Sequence, residues 1–454
     1  MIKKIKIYIT LAAVAFSSVS CLDKYPEDAI PEGDAIRTVE EANQAVIGIY
    51  AYMKNPNLYS GLLTLLPDLQ ADLAYAVEGY TNTYGNIWRW DILPTNTEVE
   101  AVYGTLNALI GKCNFLLERI AVLEQEVDDE DYEKLQQFKG EALFARALSY
   151  SDLIKMYCKA YDPATAADEL GVVLVSSYSN AGTLKRASLK DSYQFVLDDL
   201  AQSATCLKPD ENENDESYYD TPYFTIYAVN ALYARVYLNM QEWDKAIEYA
   251  SKVIDSRKFK LSSTTEMIDS ETSYYQYMWQ YDHSTETIWK VGFTTTSYGG
   301  SLGQIFFNYD FNSFKPDYVP AEWVLNLYAD TDLRATTFFQ FYRTGYEHGL
   351  QWPLLAKYFG NQEFYEQNIL HVTMPKVFRL SEQYLIRAEA YCQKSNPEYG
   401  KGANDLTTLR QARYSNYGSA SLTEENWFKE ISEERVRELY MEGFRLNDLK
   451  RWGQ

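Results

Sequence analysis

Residues 222–256 read PYFTIYAVNALYARVYLNMQEWDKAIEYASKVIDS. Two helical runs flank Glu242-Trp243-Asp244, which marks a turn between them. Ala234, Tyr237, Ala246, Ala250 and Val253 recur at helical spacing on the inner faces. Small side chains there let two helices approach closely, so the stretch is an antiparallel pair, the unit of a stacked helical-hairpin repeat.

The flanking sequence repeats the theme. Thr38-Val-Glu-Glu41 is a capping box ahead of Ala42, Ala45, Val46, Ile49 and Tyr50. A helix is expected from Val99 to Glu124 through Leu106, Leu109, Ile110 and Leu117. Another, Tyr132 to Tyr157, puts Phe138, Ala142, Ala145, Ser149, Leu153 and Met156 on one stripe. A further run passes from Leu189 through Val196, Leu200 and Ala204, and Arg379–Gln393 with Asn404–Tyr414 form one more pair. The expected fold is mainly α, a tetratricopeptide-like superhelix of hairpins with long irregular insertions at Leu58–Asn96, Lys208–Asp220 and Leu261–Asp317. The last insertion should hold a few short strands, one of them within Thr287–Phe293. Long insertions on a helical scaffold usually carry function.

Met1 to Lys6 is basic, Ile7–Phe16 is an apolar run of ten residues, and Ser17, Ser18, Val19 and Ser20 precede Cys21. The run is too short to span a bilayer, so residues 1–20 read as a lipoprotein signal peptide and Cys21 as the lipidated residue. Residues 21–37 read as a tether and 38–454 as one helical domain. Cys113, Cys158, Cys206 and Cys392 lie far apart in helical patterns without C-x-x-C, which predicts buried free thiols.

Net charge is −22, or about −25 without the lysines at 3, 4 and 6, which argues against a nucleic-acid partner. The runs Glu126–Glu133 and Asp210–Asp220 lack the spacing of a calcium loop and are expected to be solvated loops. The 40 Tyr, 20 Phe and 9 Trp suit helix packing and adhesion to sugar rings. Gly299-Gly300-Ser301-Leu302-Gly303 fits G-x-S-x-G without the strand and helix a nucleophile elbow needs. His283, His348 and His371 are isolated, and Asp68 and Asp72 read as surface acids. No catalytic set, metal site or cofactor site is expected.

Glu434-Arg435-Val-Arg-Glu438-Leu439-Tyr-Met-Glu442-Gly443-Phe-Arg445-Leu-Asn-Asp448-Leu449-Lys-Arg451-Trp452 carries opposite charges at helical spacing: Arg435/Glu438, Glu442/Arg445 and Arg445/Asp448. It resembles the signature of the SusD/RagB family, as do Gly140–Tyr157, Cys21–Pro26 and Glu40–Tyr50. The resemblance implies a bacterial outer-membrane lipoprotein that binds glycan or another nutrient for a SusC-like TonB-dependent transporter. It also implies ligand-contacting aromatics at Tyr80, Tyr84, Tyr298 and Tyr318, with Trp88 and Trp90 nearby. Family chains run tens of residues past this signature, so a C-terminally incomplete chain is expected. An acidic chain would repel an anionic ligand, which makes a neutral glycan the expected one. The rival functions are a surface glycoside hydrolase or esterase, and a peptide-binding assembly protein.

Overall fold

The computed structural model describes residues 35–178, 184–209, 221–310, 313–346, 349 and 351–454, without the side chains of Tyr80, Tyr309 and Asp310. The signal segment, Cys21, most of the tether, the acidic run 210–220 and His348 lie outside the described residues.

Thr38 Oγ1 accepts from Glu41 N at 3.2 Å, and the Glu41 carboxylate accepts from Thr38 N at 3.1 Å. This capping box starts α1 (Val39–Met53), which buries Ala42, Val46, Ile49 and Met53. Next comes α2 (Leu62–Leu69), in a stretch expected to be irregular. Its five leucines are all buried because it lies between two cores, Leu62, Leu63 and Leu66 entering one and Leu65 and Leu69 the other.

After β1 (Ala74–Ala76) follow α3 (Thr97–Leu123) and α4 (Asp129–Tyr157). The acidic run 126–133 is not the free loop expected. Asp128 caps α4 through Asp131 N at 3.0 Å, and Asp129, Glu130 and Asp131 fill its first turn, where carboxylates meet the positive helix end. From Gly140 to Ile154 every residue of α4 is buried. The expected single stripe widens to the full circumference because α1, α3 and α5 (Leu189–Cys206) all pack on it. Gly140 permits the closest approach, since a Cβ there would lie 2.8 Å from Cys206 Cβ.

Helices α6 (Ile226–Asn239) and α7 (Trp243–Ile254) form the expected hairpin. Ala234, Ala246 and Ala250 are fully buried with Ile386 and Ala390 of α8 (Leu380–Gln393). The small residues therefore also seat the next hairpin, α8 with α9 (Tyr399–Gln411), before α10 (Trp427–Leu439) and α11 (Arg445–Trp452). The fold is mainly α, a superhelix of helical hairpins with a few short strands.

Those strands are β2 (Thr287–Lys290), β3 (Tyr318–Pro320), β4 (Phe339–Arg343), β5 (Gln351–Leu355) and β6 (Lys376–Arg379), besides shorter pairs. Pairing is antiparallel: β1 with β3, β2 with β6, β4 with β5. The insertions thus build a second core of Leu69, Tyr275, Trp279, Phe306, Phe307, Tyr318, Phe338 and Tyr440. Cys113, Cys158, Cys206 and Cys392 are free and buried. Among the described residues no helix is long and apolar enough to cross a membrane.

The C-terminal signature forms an ion cluster, but not with the expected partners. Helix α10 ends at Leu439, and Met441 (φ 58°) and Gly443 (φ 83°) break the chain direction, so helical spacing no longer pairs Glu442 with Arg445. Arg435 instead meets Asp448 at 2.7 Å, and Arg445 meets Asp72 at 2.7 Å. Glu438 receives Arg334, Arg379 and Arg413 at 3.0, 2.8 and 2.9 Å. Glu434 receives Arg334, Arg410 and Arg437, and Glu442 receives Lys357 and Arg379. Asp68 is no surface acid: fully buried, it accepts from Gly443 N at 2.8 Å and Arg445 N at 2.9 Å.

Candidate functional site

The end of α1 is clamped to the turn at residues 294–297. Lys54, the residue after the helix, donates from Nζ to Ser297 O at 3.1 Å and Ser297 Oγ at 3.0 Å. Ser60 Oγ donates to Lys54 O at 3.0 Å and accepts from Gly300 N at 2.9 Å. Thr294 and Ser297 exchange backbone hydrogen bonds of 3.0 Å, which fixes the turn.

A groove runs along this junction. One half, about 250 Å³, is lined by Ile47, Tyr50, Met53, Lys54, Tyr223, Trp289 and Ser297. The other, about 320 Å³, is lined by Tyr52, Lys54, Asn55, Pro56, Tyr298 and Gly299. Lys54 belongs to both. The Tyr223 ring is 58% exposed and stands edge-on to Tyr50, with centroids 5.4 Å apart. Tyr50 is itself fixed, its hydroxyl donating to Glu141 Oε2 and accepting from Phe224 N, both at 2.8 Å. Burial pushes the Glu141 carboxyl up. At the opposite end Tyr298 is 45% exposed, its ring 6.3 Å from Phe364. The groove thus offers two exposed aromatic rings on rigid supports, a geometry suited to a ring-shaped polar ligand.

Of the four aromatics expected at the ligand, Tyr298 alone lines this groove. Tyr318 corrects the expectation outright. Pairing of β3 with β1 turns its ring inward, where it is fully buried and donates to Thr83 O at 2.6 Å. It is a core residue. Tyr84 is half-buried with φ 60° and packs against both cores. Tyr80 lies in the turn Gly79–Thr81, its side chain outside the described residues. Trp88 packs on the second core and donates to Ala74 O at 3.0 Å, whereas Trp90 is 62% exposed. Tyr52, Lys54 and Tyr223 went unread as site residues because they border helices. The available signal was Tyr52, which falls off the apolar stripe of Ala42, Val46 and Ile49.

Groups that could suggest catalysis are engaged otherwise. Ser301 Oγ donates to the carbonyls of Leu370 and His371, and the His371 ring nitrogen Nδ1 is bonded to Phe359 O at 2.8 Å. No serine–imidazole contact forms between them. A more enclosed cavity is lined by Asp152, Lys155, Arg235, Lys376 and Glu442. Its carboxylates are already occupied: Asp152 by Tyr59 OH and Lys155, Glu442 by Lys357 and Arg379. Among the described residues no cluster of three His, Cys, Asp or Glu is arranged to hold a metal ion.

Residues 22–238 match a SusD-like family model described as starch-binding associating with outer membrane, and residues 343–454 match the SusD family model, SusD/RagB. SusD-like protein P25 of Formosa agariphila is 22% identical over 495 residues, spanning all of this chain and 90% of that protein. Among solved structures, a SusD superfamily protein from Bacteroides thetaiotaomicron superposes with a TM-score of 0.78 at 23% identity, covering 92% of this chain and 89% of the other. Surface glycan-binding protein A from Bacteroides fluxus gives 0.67 at 18% identity, with 92% and 89% covered. With family matches in both halves of the sequence and one fold shared along nearly its whole length, the chain belongs to the SusD/RagB family.

Proposed function

We propose that this protein is a non-catalytic carbohydrate-binding lipoprotein of the outer membrane, which holds a saccharide in the groove for a SusC-like TonB-dependent transporter. Family membership and the similarity to a named glycan-binding protein support carbohydrate as the ligand. The observation that carries the site is the pair of exposed rings, Tyr223 and Tyr298, at the two ends of one groove. Cys21 would carry the lipid, after removal of residues 1–20, with residues 21–37 as tether to the helical domain. Replacement of Cys21 by Ser should then move the folded protein to the soluble fraction.

Calorimetry of the purified protein with a panel of oligosaccharides tests the site. Tyr223→Ala and Tyr298→Ala should each weaken binding by about 1–2 kcal/mol, the scale of a lost aromatic anchor. Tyr80→Ala and Tyr84→Ala mark the alternative face on the loop before α3. Loss of binding in those two, with Tyr223 and Tyr298 variants unaffected, would move the site there. Chromatography of the incubated saccharides should show no cleavage products, and hydrolysis abolished by a single carboxylate substitution would refute the non-catalytic reading.

A further inference from the structure

We infer that the groove selects an acidic saccharide, one bearing a carboxylate or sulfate, and that Lys54 is the residue that reads its charge. The inference rests on the groove being the saccharide site. It begins with a contrast between the chain and the groove. The chain carries 64 acidic against 42 basic residues, yet among the described residues none lining either half of the groove is Asp or Glu, and one is Lys.

The partners of Lys54, a half-buried lysine, also differ from those of several other buried or half-buried lysines. Lys139 meets Glu124, Lys155 meets Asp152, Lys357 meets Glu442 and Lys376 meets Asp282, each at 3.1 Å or less. Lys450, which has only carbonyl partners at Lys155 and Cys158, sits at the negative end of α4. Lys54 Nζ has two acceptors, both on Ser297 and both neutral. An ammonium has three donors, so one remains. Burial pushes the Lys54 ammonium pKa down. Lys54 lines both halves of the groove, the one that holds Tyr223 and the one that holds Tyr298. Outside the lining, Lys112 Nζ lies 5.0 Å from the centre of the Tyr52 ring. Glu141 lies behind Tyr50 and is bonded by Tyr50 and Gln137.

The whole-chain charge does not overrule this local pattern. At physiological salt the screening length is about 8 Å, so acids elsewhere on the surface are felt weakly, while a cation inside the groove touches the ligand directly. An anionic group on a sugar stacked between Tyr223 and Tyr298 would complete the Lys54 pair. The two tyrosines supply ring contact and Lys54 supplies discrimination.

The test compares oligogalacturonides, a sulfated oligosaccharide and neutral maltohexaose by calorimetry at low and high salt, on wild type, Lys54→Met and Lys54→Arg. Wild type should prefer one acidic class over the neutral sugar by about ten- to a hundredfold, the worth of a charge-assisted hydrogen bond. High salt should shrink that ratio. Lys54→Met should collapse it, and Lys54→Arg, which keeps the charge, should restore most of it. The carboxylate and sulfate arms identify which anion is read. A neutral sugar bound as tightly as both acidic ones, an undiminished ratio in Lys54→Met, or no acidic saccharide bound at millimolar concentration would overturn the inference. Neutral binding that still depends on Tyr223 and Tyr298 would leave the groove standing as the site while the charge preference fell. Binding indifferent to both tyrosines would remove the site itself.

Discussion

Replacing Glu438 by Gln should cost the protein about 4 kcal/mol of folding free energy, although the side chain keeps its shape. Glu438 is fully buried and accepts from Arg334 Nη1 at 3.0 Å, Arg379 Nη1 at 2.8 Å, and Arg413 Nε and Nη2 at 2.9 Å each. Gln retains one acceptor oxygen and turns an amide nitrogen toward guanidinium donors. Breaking one side of a buried ion pair costs roughly 3–5 kcal/mol, because the surviving charge stays out of water without compensation. Here three guanidiniums lose a shared partner, although Glu286, Glu434 and Glu442 continue to neutralise them in part. The loss is a large share of a typical domain stability of about 5–15 kcal/mol. Acid adds a second readout. Burial alone would raise the Glu438 carboxyl, but Arg413 and Arg379 outweigh it and hold it well below the ordinary carboxylate value. A depressed folded-state value means the stabilisation is complete above about pH 4.5 and is lost as pH falls below it. Urea unfolding followed by circular dichroism at neutral pH, then stepwise toward pH 3, measures both effects. The variant should be destabilised at neutral pH and show a shallower acid loss than wild type. A penalty under about 1 kcal/mol, or an unchanged acid slope, would refute this account of the cluster.

Three further outcomes are expected. Burial pushes the Asp68 carboxyl up to about 7, so the folded state holds a proton the unfolded state releases near pH 4, and stability contributed by this group falls as pH rises between them. Asp68→Asn should therefore gain on wild type across that window by at most about 4 kcal/mol, read from paired urea titrations. Tyr318→Phe should lose about 1 kcal/mol of stability with its bond to Thr83 O and leave saccharide affinity unchanged in calorimetry. Cys113, Cys158, Cys206 and Cys392 should resist a thiol reagent until urea unfolds the protein, since all four are buried and burial pushes Cys113 and Cys392 up to about 12.

What could be read in the sequence was what is local. Thr38 with Glu41, and the alanines of α6 and α7, act on partners within one turn or one hairpin, so spacing reveals them. Helix α9 was placed late because Gly400 and Gly402 lower its propensity while packing against α8 holds it from Tyr399. Helix α2 escaped because apolar residues on both faces erase the period. Asp68 and Glu438 find partners 25 to 377 residues away, and no local pattern encodes that. The same holds for the site. Tyr318 carries the aromatic chemistry expected at a ligand, but its strand pairing with β1 turns it inward, while Tyr223 and Lys54 gain their meaning from a turn at residues 294–297.

The long reach of the C-terminal signature sets the cost of closing the fold. Tyr440 OH donates to Leu73 O across 367 residues, and Gly443 N donates to Asp68 across 375. Until residues 434–443 are available, Arg334, Arg379 and Arg413 lack the carboxylates of Glu434 and Glu438 and, among the described residues, have only Asp332 and Glu286 as ion-pair partners. The hairpins α3–α4 and α6–α7 make contacts that are near in sequence and so close at a low entropic cost. Closing the second lobe therefore joins segments more than 360 residues apart, at a high loop-closure cost.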